Sequence, residues 1–203
     1  MSVRVVAGEF RGRTIDAPKG EHTRPTIDRV REALMSSLYS LMGGFEGKSV
    51  LDAFAGSGAL GIEALSRGAA HVDFYDIDKD ALRVIESNIK RCGLTRDKVR
   101  VCKADVMKAF GEDGYADQSV YNGGYDLVFL DPPYALGPEA TIGLVMRMHE
   151  CGALNYDAVI AYEYAQKDAE AVKQAASALE IMGAKKYGKT GVALLRMAER
   201  SAS

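Results

Sequence analysis

The chain has 203 residues, of which 47% are hydrophobic and 27% are charged, and its formal net charge is −2 at pH 7. This composition is typical of one globular domain with a substantial core, and it excludes a disordered chain. The longest apolar runs are only as long as a strand, and the sequence begins without the apolar block of a signal peptide. We therefore expect a cytoplasmic protein with no membrane span.

The cysteines and histidines show no metal-ligating spacing. There are three of each, they are widely scattered, and no Cys-x-x-Cys pair occurs. This pattern favours reduced thiols and predicts neither a disulfide framework nor a metal site. The residues are Cys92, Cys102 and Cys151, and His22, His71 and His149.

Positive charge is concentrated near the N-terminus. Residues 1–31 hold seven Lys or Arg against four Asp or Glu, which is a net charge of +3 and leaves −5 for the remainder. A basic arm on an acidic body suits contact with a polyanion. A solvated surface hairpin with incidental arginines would give the same count, so charge alone leaves both interpretations open.

The predicted elements alternate between strands and helices. A hairpin over 3–17 and a helix over 26–42 come first, because apolar residues alternate in the former and recur at helical spacing in the latter. The following elements are a strand at 48–56, a helix at 58–68, a strand at 71–78, a helix at 80–93, a strand at 98–105, a helix leading into a loop at 111–124, a strand at 125–131, a helix near 139–151, a strand at 157–164, a helix near 168–179, and two strands at 180–188 and 191–199.

This order predicts a Rossmann-like, doubly wound α/β fold. Its sheet has seven mostly parallel strands with an antiparallel C-terminal hairpin, and a hairpin and helix extend it at the N-terminus. We expect a single domain over 1–203, with a basic arm over 1–25 and a catalytic core over 26–203.

Four aspartates end successive strands of the predicted sheet. Asp52, Asp76, Asp105 and Asp131 lie 24, 29 and 26 residues apart, which is about one βα unit each. Ligands of open α/β sheets bind beyond the carboxyl ends of the strands, so these carboxylates should share one rim. Because like charges repel in a partly dry cleft, the ligand should be cationic and rich in hydrogen-bond donors.

The loop after the first of these strands admits two cofactors. Gly56, Gly58 and Gly61 satisfy G-x-G-x-x-G, and Asp76 follows Gly56 by 20 residues, as in a dinucleotide-binding fingerprint. However, a carboxylate at Asp52 is a poor neighbour for pyrophosphate. S-adenosylmethionine instead offers an ammonium to Asp52, ribose hydroxyls to Asp76 and an adenine amine to Asp105, which favours it over NAD.

The stretch "FLDPPY" at 129–134 predicts an acceptor site for an exocyclic amine. The lone pair of such an amine is delocalised, so two acceptors for its hydrogens would orient it towards the methyl group. Asp131 supplies a side-chain oxygen and Pro132 a carbonyl, while Pro132 and Pro133 stiffen the turn. Tyr134 offers a face on which a splayed-out base can stack. A lone Pro-Pro-Tyr could also be a simple strand terminator with a packing tyrosine.

These motifs resemble a known family. "LDAFAGSGALGIEALSRG" and "FLDPPY", together with "GEFRGRTI" and "TRPTIDRVREALMSSL", are similar to the RsmD family of 16S rRNA (guanine(966)-N(2))-methyltransferases over about residues 3–197. The family's pattern often has a phenylalanine where Met35 stands and a shorter segment at 111–124. The Asp-Pro-Pro-Tyr motif alone would also fit adenine-N6 methyltransferases of DNA or RNA and protein glutamine methyltransferases.

The resemblance implies an S-adenosylmethionine-dependent enzyme that methylates a guanine N2 amine of 16S rRNA, with the small ribosomal subunit or an assembly intermediate as partner. We expect a monomer that uses no metal. An NAD-linked oxidoreductase and a non-catalytic RNA-binding protein remain as alternatives. The predicted cofactor contacts are Asp52, Phe54, Gly56, Ser57, Gly58, Asp76, Ile77, Asp105 and Val106, the predicted catalytic residues are Asp131, Pro132, Pro133 and Tyr134, and the predicted RNA contacts are Arg11, Arg13 and Arg24.

Overall fold

The structure, a computed structural model, describes residues 2–18, 25–110 and 123–198, without the side chains of 25–28. The chain divides into two compact units, Met1–Val106 and Met107–Ser203. The predicted partition into an arm and a core stays a prediction. Arg24 and residues 111–122 of the predicted loop lie outside the described residues.

Unit 1 has an N-terminal hairpin followed by three parallel strands and their helices. Its three sheet strands lie in the order β5-β4-β3, with Val50 of β3 opposite Val72 of β4 and Phe74 of β4 opposite Val101 of β5. The elements are β1 (Ser2–Arg4), β2 (Thr14–Asp16), α1 (Pro25–Met42), β3 (Ser49–Asp52), α2 (Ala59–Ser66), β4 (His71–Asp76), α3 (Lys79–Cys92) and β5 (Val99–Lys103).

The local sequence explains where α3 begins and ends. The side chain of Asp78 accepts hydrogen bonds from the amides of Asp80 and Ala81, which satisfies the first turn of the helix. Gly93 follows the last helical residue with φ of 68°, a conformation that glycine adopts without strain. This helix returns the chain from the end of β4 to the start of β5.

The N-terminal hairpin is fixed to α2 and α3. The Glu63 carboxylate, only 1% exposed, accepts hydrogen bonds from the amides of Val6 and Ala7 at 2.9 and 3.0 Å. Ser66 also contacts the hairpin, and a Cβ on Gly8 (φ 82°) would overlap its carbonyl oxygen, so a close approach requires glycine there. The predicted hairpin is therefore confirmed, and it is packed against the body of unit 1.

Unit 2 contributes four strands in the order β6-β7-β9-β8. β6 and β7 are parallel, and β9 pairs antiparallel with both β7 and β8. β8 therefore runs in the same direction as β7. The elements are α4 (Val106–Ala109, of which Val106 belongs to unit 1), β6 (Tyr125–Leu130), α5 (Pro138–Glu150), β7 (Leu154–Ala165), α6 (Ala169–Ala175), β8 (Leu179–Tyr187) and β9 (Thr190–Met197).

Seven strands belong to the larger sheet. The three of unit 1 are parallel to one another, and among the four of unit 2 only β9 runs antiparallel to its neighbours. The predicted α/β fold is therefore confirmed, including the antiparallel C-terminal hairpin. Several boundaries differ from the predicted ones. β3 ends at Asp52, four residues before the predicted end, and β5 ends at Lys103, two residues before it. β7 begins three residues before the predicted strand, and α6 gives way to a 3-10 turn at Ala176–Ala178. Within the described residues, no helix is long and apolar enough to cross a membrane.

Candidate active site

Asp52 is the last residue of β3 and is only 2% exposed. Its Oδ2 accepts a hydrogen bond of 3.0 Å from the amide of Gly61 in the first turn of α2. A carboxylate at this helix terminus is stabilised by the unpaired amides and the helix dipole. The pyrophosphate of a dinucleotide would have to compete with Asp52 for this position, so the geometry counts against the NAD alternative.

Glycine is required at positions 56, 58 and 61, in and after the loop that follows β3, for different structural reasons. Gly56 and Gly58 have φ of 52° and 74°, which favours residues without a side chain. A Cβ on Gly61 would overlap the ring of Phe74, and one on Gly58 would lie 3.3 Å from both Phe74 and Ile85. Gly61 thus lets α2 pack closely on β4, and the two earlier glycines shape the loop itself.

Asp76, the last residue of β4, ties two loops together. Its Oδ2 accepts from the amide of Gly56 and its Oδ1 from the amide of Asp78, both at 2.8 Å. Each oxygen can accept a further hydrogen bond, because a carboxylate has about four lone-pair sites. Ile77 next to it is 70% exposed, so an apolar face and a partly exposed carboxylate lie side by side.

All nine predicted cofactor residues of unit 1 lie at the carboxyl ends of its strands. Asp52 and Asp76 are the last residues of β3 and β4, and the others lie on the segments that follow β3, β4 and β5. Because these strands are parallel, their carboxyl ends meet at one edge of the sheet. Asp105 is half-buried two residues after β5. Phe54 is also half-buried, whereas Ser57 and Val106 are buried, so only their main-chain atoms are suited to contact a ligand at this edge.

The Asp-Pro-Pro-Tyr segment of unit 2 directly follows β6, whose last four residues are fully buried. Asp131 is exposed and Pro132 is buried beneath it. The Pro133 carbonyl accepts from the amide of Leu136 at 2.9 Å, which closes a 3-10 turn that begins at Tyr134. The Tyr134 side chain is 57% exposed, as a stacking surface requires.

Glu163 is a candidate site residue that was not predicted from the sequence. Leu130 of β6 lies opposite Tyr162 of β7, so the next residues, Asp131 and Glu163, are neighbours at the same level of the sheet. Burial, and to a lesser extent the Asp131 carboxylate, raise the pKa of Glu163 to about 8. Glu163 therefore releases its proton less readily than an exposed glutamate. Its signal in the sequence was a single acid within the apolar strand "AVIAYEYA".

The predicted RNA contacts Arg11 and Arg13 are exposed on the hairpin loop. The Arg13 guanidinium lies 5.3 Å from the ring centroid of Phe10 and donates a hydrogen bond of 3.3 Å to the carbonyl of Arg91. Part of its hydrogen-bonding capacity is thus used within unit 1.

The described part of the chain contains no cluster of side chains suited to bind a metal ion. There, no group of three or more His, Cys, Asp or Glu side chains could hold a metal ion. All three cysteines are free.

Known proteins share this sequence and this fold. The family model described as "Conserved hypothetical protein 95" matches residues 3–196. The YlbH protein of Bacillus subtilis (strain 168) is 35% identical over 195 residues, which cover 96% of this chain and 98% of that protein. The "Ribosomal RNA small subunit methyltransferase D" of Escherichia coli (strain K12) is 35% identical over 144 residues, covering 70% of this chain and 66% of that protein. The solved structure of yhhF from Escherichia coli has a TM-score of 0.78 at 28% identity and covers 98% of this chain and 100% of that one.

Proposed function

The chain belongs to the RsmD family, described as Conserved hypothetical protein 95, and from this premise we propose that it is an S-adenosylmethionine-dependent methyltransferase acting on the N2 amine of a guanine in 16S rRNA. The observation that carries the proposal is the segment after β6. An exposed carboxyl and an exposed aromatic ring stand side by side on a turn stiffened by two prolines.

The residues of unit 1 fit the cofactor. When bound, S-adenosylmethionine supplies an electrophilic methyl group on a sulfonium. The negative charge of Asp52 favours the cationic amino acid part, and its hydrogen bond to Gly61 holds the loop in shape. Asp76 keeps lone pairs for the ribose hydroxyls, Ile77 offers an apolar face to the adenine, and Asp105 can accept from the adenine amine.

The residues of unit 2 fit the acceptor. Asp131 and the carbonyl of Pro132 accept hydrogen bonds from the two hydrogens of the amine, which directs its lone pair towards the methyl group. The bound cofactor would supply the methyl group, and Asp131 with the Pro132 carbonyl would hold the amine in place until it has lost one proton to solvent. Tyr134 stacks on the base and holds it out of the RNA, which is worth about 1–3 kcal/mol.

Ribosomal RNA of the small subunit is the proposed substrate because a relative that is 35% identical is named for that activity. Structured RNA also suits a chain of 203 residues, since loops already present unstacked bases and no separate recognition domain is needed. Arg11, Arg13 and Arg24 are proposed phosphate contacts. We propose a monomer working in the cytoplasm, where its substrate is made.

The test is to incubate the protein with methyl-labelled S-adenosylmethionine and either 16S rRNA or small-subunit particles, and then to map the modified base. The proposal expects label on the N2 amine of one guanine. Label on an adenine N6 amine would favour the adenine methyltransferase alternative, and label on protein would favour the glutamine methyltransferase alternative. Comparison of NAD with S-adenosylmethionine by thermal shift tests the cofactor separately.

A further inference from the structure

Three exposed lysines of unit 2 surround one end of its sheet. Lys167 lies in the 3-10 turn Gln166–Asp168 after β7, Lys186 near the end of β8, and Lys189 in the turn between β8 and β9. None of the three forms a salt bridge with a described residue. By contrast, Lys173 nearby is paired with Glu170 at 2.8 Å.

Topology places these lysines at the same end of the sheet as Asp131. β6 and β7 are parallel, and β7 ends at Ala165, which lies opposite Thr190 at the start of β9. The turn containing Lys189 therefore lies beside the carboxyl end of β7. The amide of Gln166 donates a hydrogen bond of 2.8 Å to the carbonyl of Lys189, so the segments carrying Lys167 and Lys189 are directly joined.

The register also gives the distance from this turn to the acceptor segment. Leu130 lies opposite Tyr162, and β7 continues for three residues to Ala165, which is about 10 Å further along the strand. Two strand spacings separate β6 from β9, which is about 10 Å across the sheet. Asp131 and the turn are thus about 14 Å apart, a span that an RNA strand carrying a splayed-out base can bridge.

The turn between β8 and β9 is held in place by strand pairing and by side-chain packing. Lys186 lies opposite Gly191, and Gly191 lies opposite Tyr164. A Cβ on Gly191 would overlap the Tyr164 ring, so this ring covers the β9 backbone next to Lys186. The main chain that carries these lysines is therefore already ordered. A ligand that binds them would not lose affinity to the entropic cost of ordering that main chain.

Protection of a sheet edge explains only part of this charge. Lysines on β8 discourage pairing of this edge strand with other chains, which accounts for Lys185 and Lys186. It does not account for Lys167 or Lys189, which lie in turns outside the ladder. A polyanion bound beside the acceptor segment accounts for all three lysines, because all three lie at the end of the sheet where Asp131 follows β6.

We propose that Lys167, Lys186 and Lys189 form a phosphate-binding surface that holds the RNA strand carrying the acceptor base. This inference rests on the proposed function for the identity of its partner. It adds a contact surface in unit 2 to the predicted contacts of the N-terminal hairpin, where Arg13 is already partly engaged.

The experiment compares two triple variants with the unchanged protein. One combines Lys167→Ala, Lys186→Ala and Lys189→Ala. The control combines Lys90→Ala, Arg96→Ala and Lys98→Ala. These three exposed residues lie in the last turn of α3 and in the loop before β5, at the amino ends of the unit 1 strands, away from the carboxyl ends where the predicted cofactor residues lie. Both remove three positive charges, and binding of a 16S rRNA transcript is measured across a salt series.

The first variant should weaken RNA binding roughly tenfold near 0.15 M salt and reduce the slope of log K against log salt by about 2, because three phosphate contacts are lost. The control variant should bind RNA like the unchanged protein, and both should bind S-adenosylmethionine normally. The inference is overturned by equal losses in both variants, by normal RNA binding in the first, or by absence of RNA binding in the unchanged protein.

Two further outcomes separate this inference from the proposed function. If the unchanged protein binds RNA through these lysines but transfers no methyl group to it, the proposed function fails and the surface stands. If the first variant binds naked 16S rRNA normally but methylates small-subunit particles poorly, the lysines contact a ribosomal protein and the RNA surface is wrong.

Discussion

Acidic side chains follow the strands of both units, but they are compensated differently. In unit 1, Asp52 and Asp76 accept main-chain hydrogen bonds and hold the surrounding loops in place. In unit 2, Asp131 lies next to Glu163, whose pKa is raised first by burial and then by the neighbouring Asp131 carboxylate. Acids of the first kind shape a binding loop before any ligand arrives, whereas acids of the second kind gain stability from a donor-rich ligand.

A third acid of unit 1 belongs with the compensated group. Asp73 is fully buried, and its two oxygens contact Arg100 at 2.6 Å and His71 at 2.8 Å. It lies towards the opposite end of β4 from Asp76 and serves stability alone. We therefore expect substitutions of these acids to affect different properties: catalysis at Asp131, cofactor binding at Asp76, and stability at Glu163 and at the Asp73 partner His71.

The largest effect is expected at Asp131. Asp131→Ala should lower kcat for RNA methylation by on the order of 100-fold or more, because the amine loses an acceptor that orients it. Binding of S-adenosylmethionine, measured by calorimetry, should change by less than about twofold, since the proposed cofactor contacts lie in unit 1. Equal loss of cofactor binding would make Asp131 a structural residue and remove the distinction between the two kinds of acid.

Asp76→Asn tests the compensated acids. An amide group cannot accept from both the Gly56 and Asp78 amides, so one main-chain donor loses its partner and the ribose contact weakens. We expect a loss of about 2 kcal/mol, which is roughly a thirtyfold rise in the Kd of S-adenosylmethionine. Asp80→Asn removes the same charge from an exposed position three residues after Ile77 and should leave the Kd unchanged. A similar Kd for the two variants would mean that Asp76 contributes only net charge.

Glu163→Gln tests the pair formed by Asp131 and Glu163 through the pH dependence of stability. The folded-state pKa of Glu163 is raised from 4.5 to about 8, so its stabilising contribution is complete below pH 4.5 and is lost as pH rises through about 8. The neutral glutamine avoids this loss. In urea unfolding at pH 9 the variant should exceed the unchanged protein by roughly 1–2 kcal/mol, and the difference should shrink at pH 6.

The matched control for this measurement is Glu180→Gln, an exposed glutamate on β8. It should show no comparable dependence on pH. A pH-independent difference between Glu163→Gln and the unchanged protein would contradict the raised pKa of Glu163, which burial causes first and the Asp131 carboxylate second.

The smallest effect is expected at His71. The hydrogen bond to Asp73 raises the pKa of His71 above 6.5, partly opposed by burial. Its stabilising contribution is therefore complete below pH 6.5 and is lost as pH rises through the raised folded-state pKa. His71→Gln should cost less than about 1 kcal/mol at pH 5.5 and less still at pH 8.5, as measured by urea unfolding. The control is His149→Gln, on an exposed part of α5, and a cost that grows with pH would contradict the assignment.

Much of the fold could be predicted because its signals are local. The spacing of apolar residues, the capping aspartate before α3 and the glycine after it define the helix within a few residues of each end. The four aspartates at strand ends were found in the same way, since each follows an apolar run directly. Boundaries such as the start of β7 were less accurate, because pairing with β6 extends the strand beyond its own apolar signal.

The remaining features depend on which strands pair and in which register. By itself the sequence determined the alternation of strands and helices, the acids at the strand ends and the Asp-Pro-Pro-Tyr segment. Only the tertiary structure decided that Glu163 stands beside Asp131 and that the amide of Gln166, next to Lys167, donates a hydrogen bond to the carbonyl of Lys189. The members of these two pairs lie 32 and 23 residues apart along the chain. No local propensity encodes contacts at such separations, which arise when apolar faces are buried together.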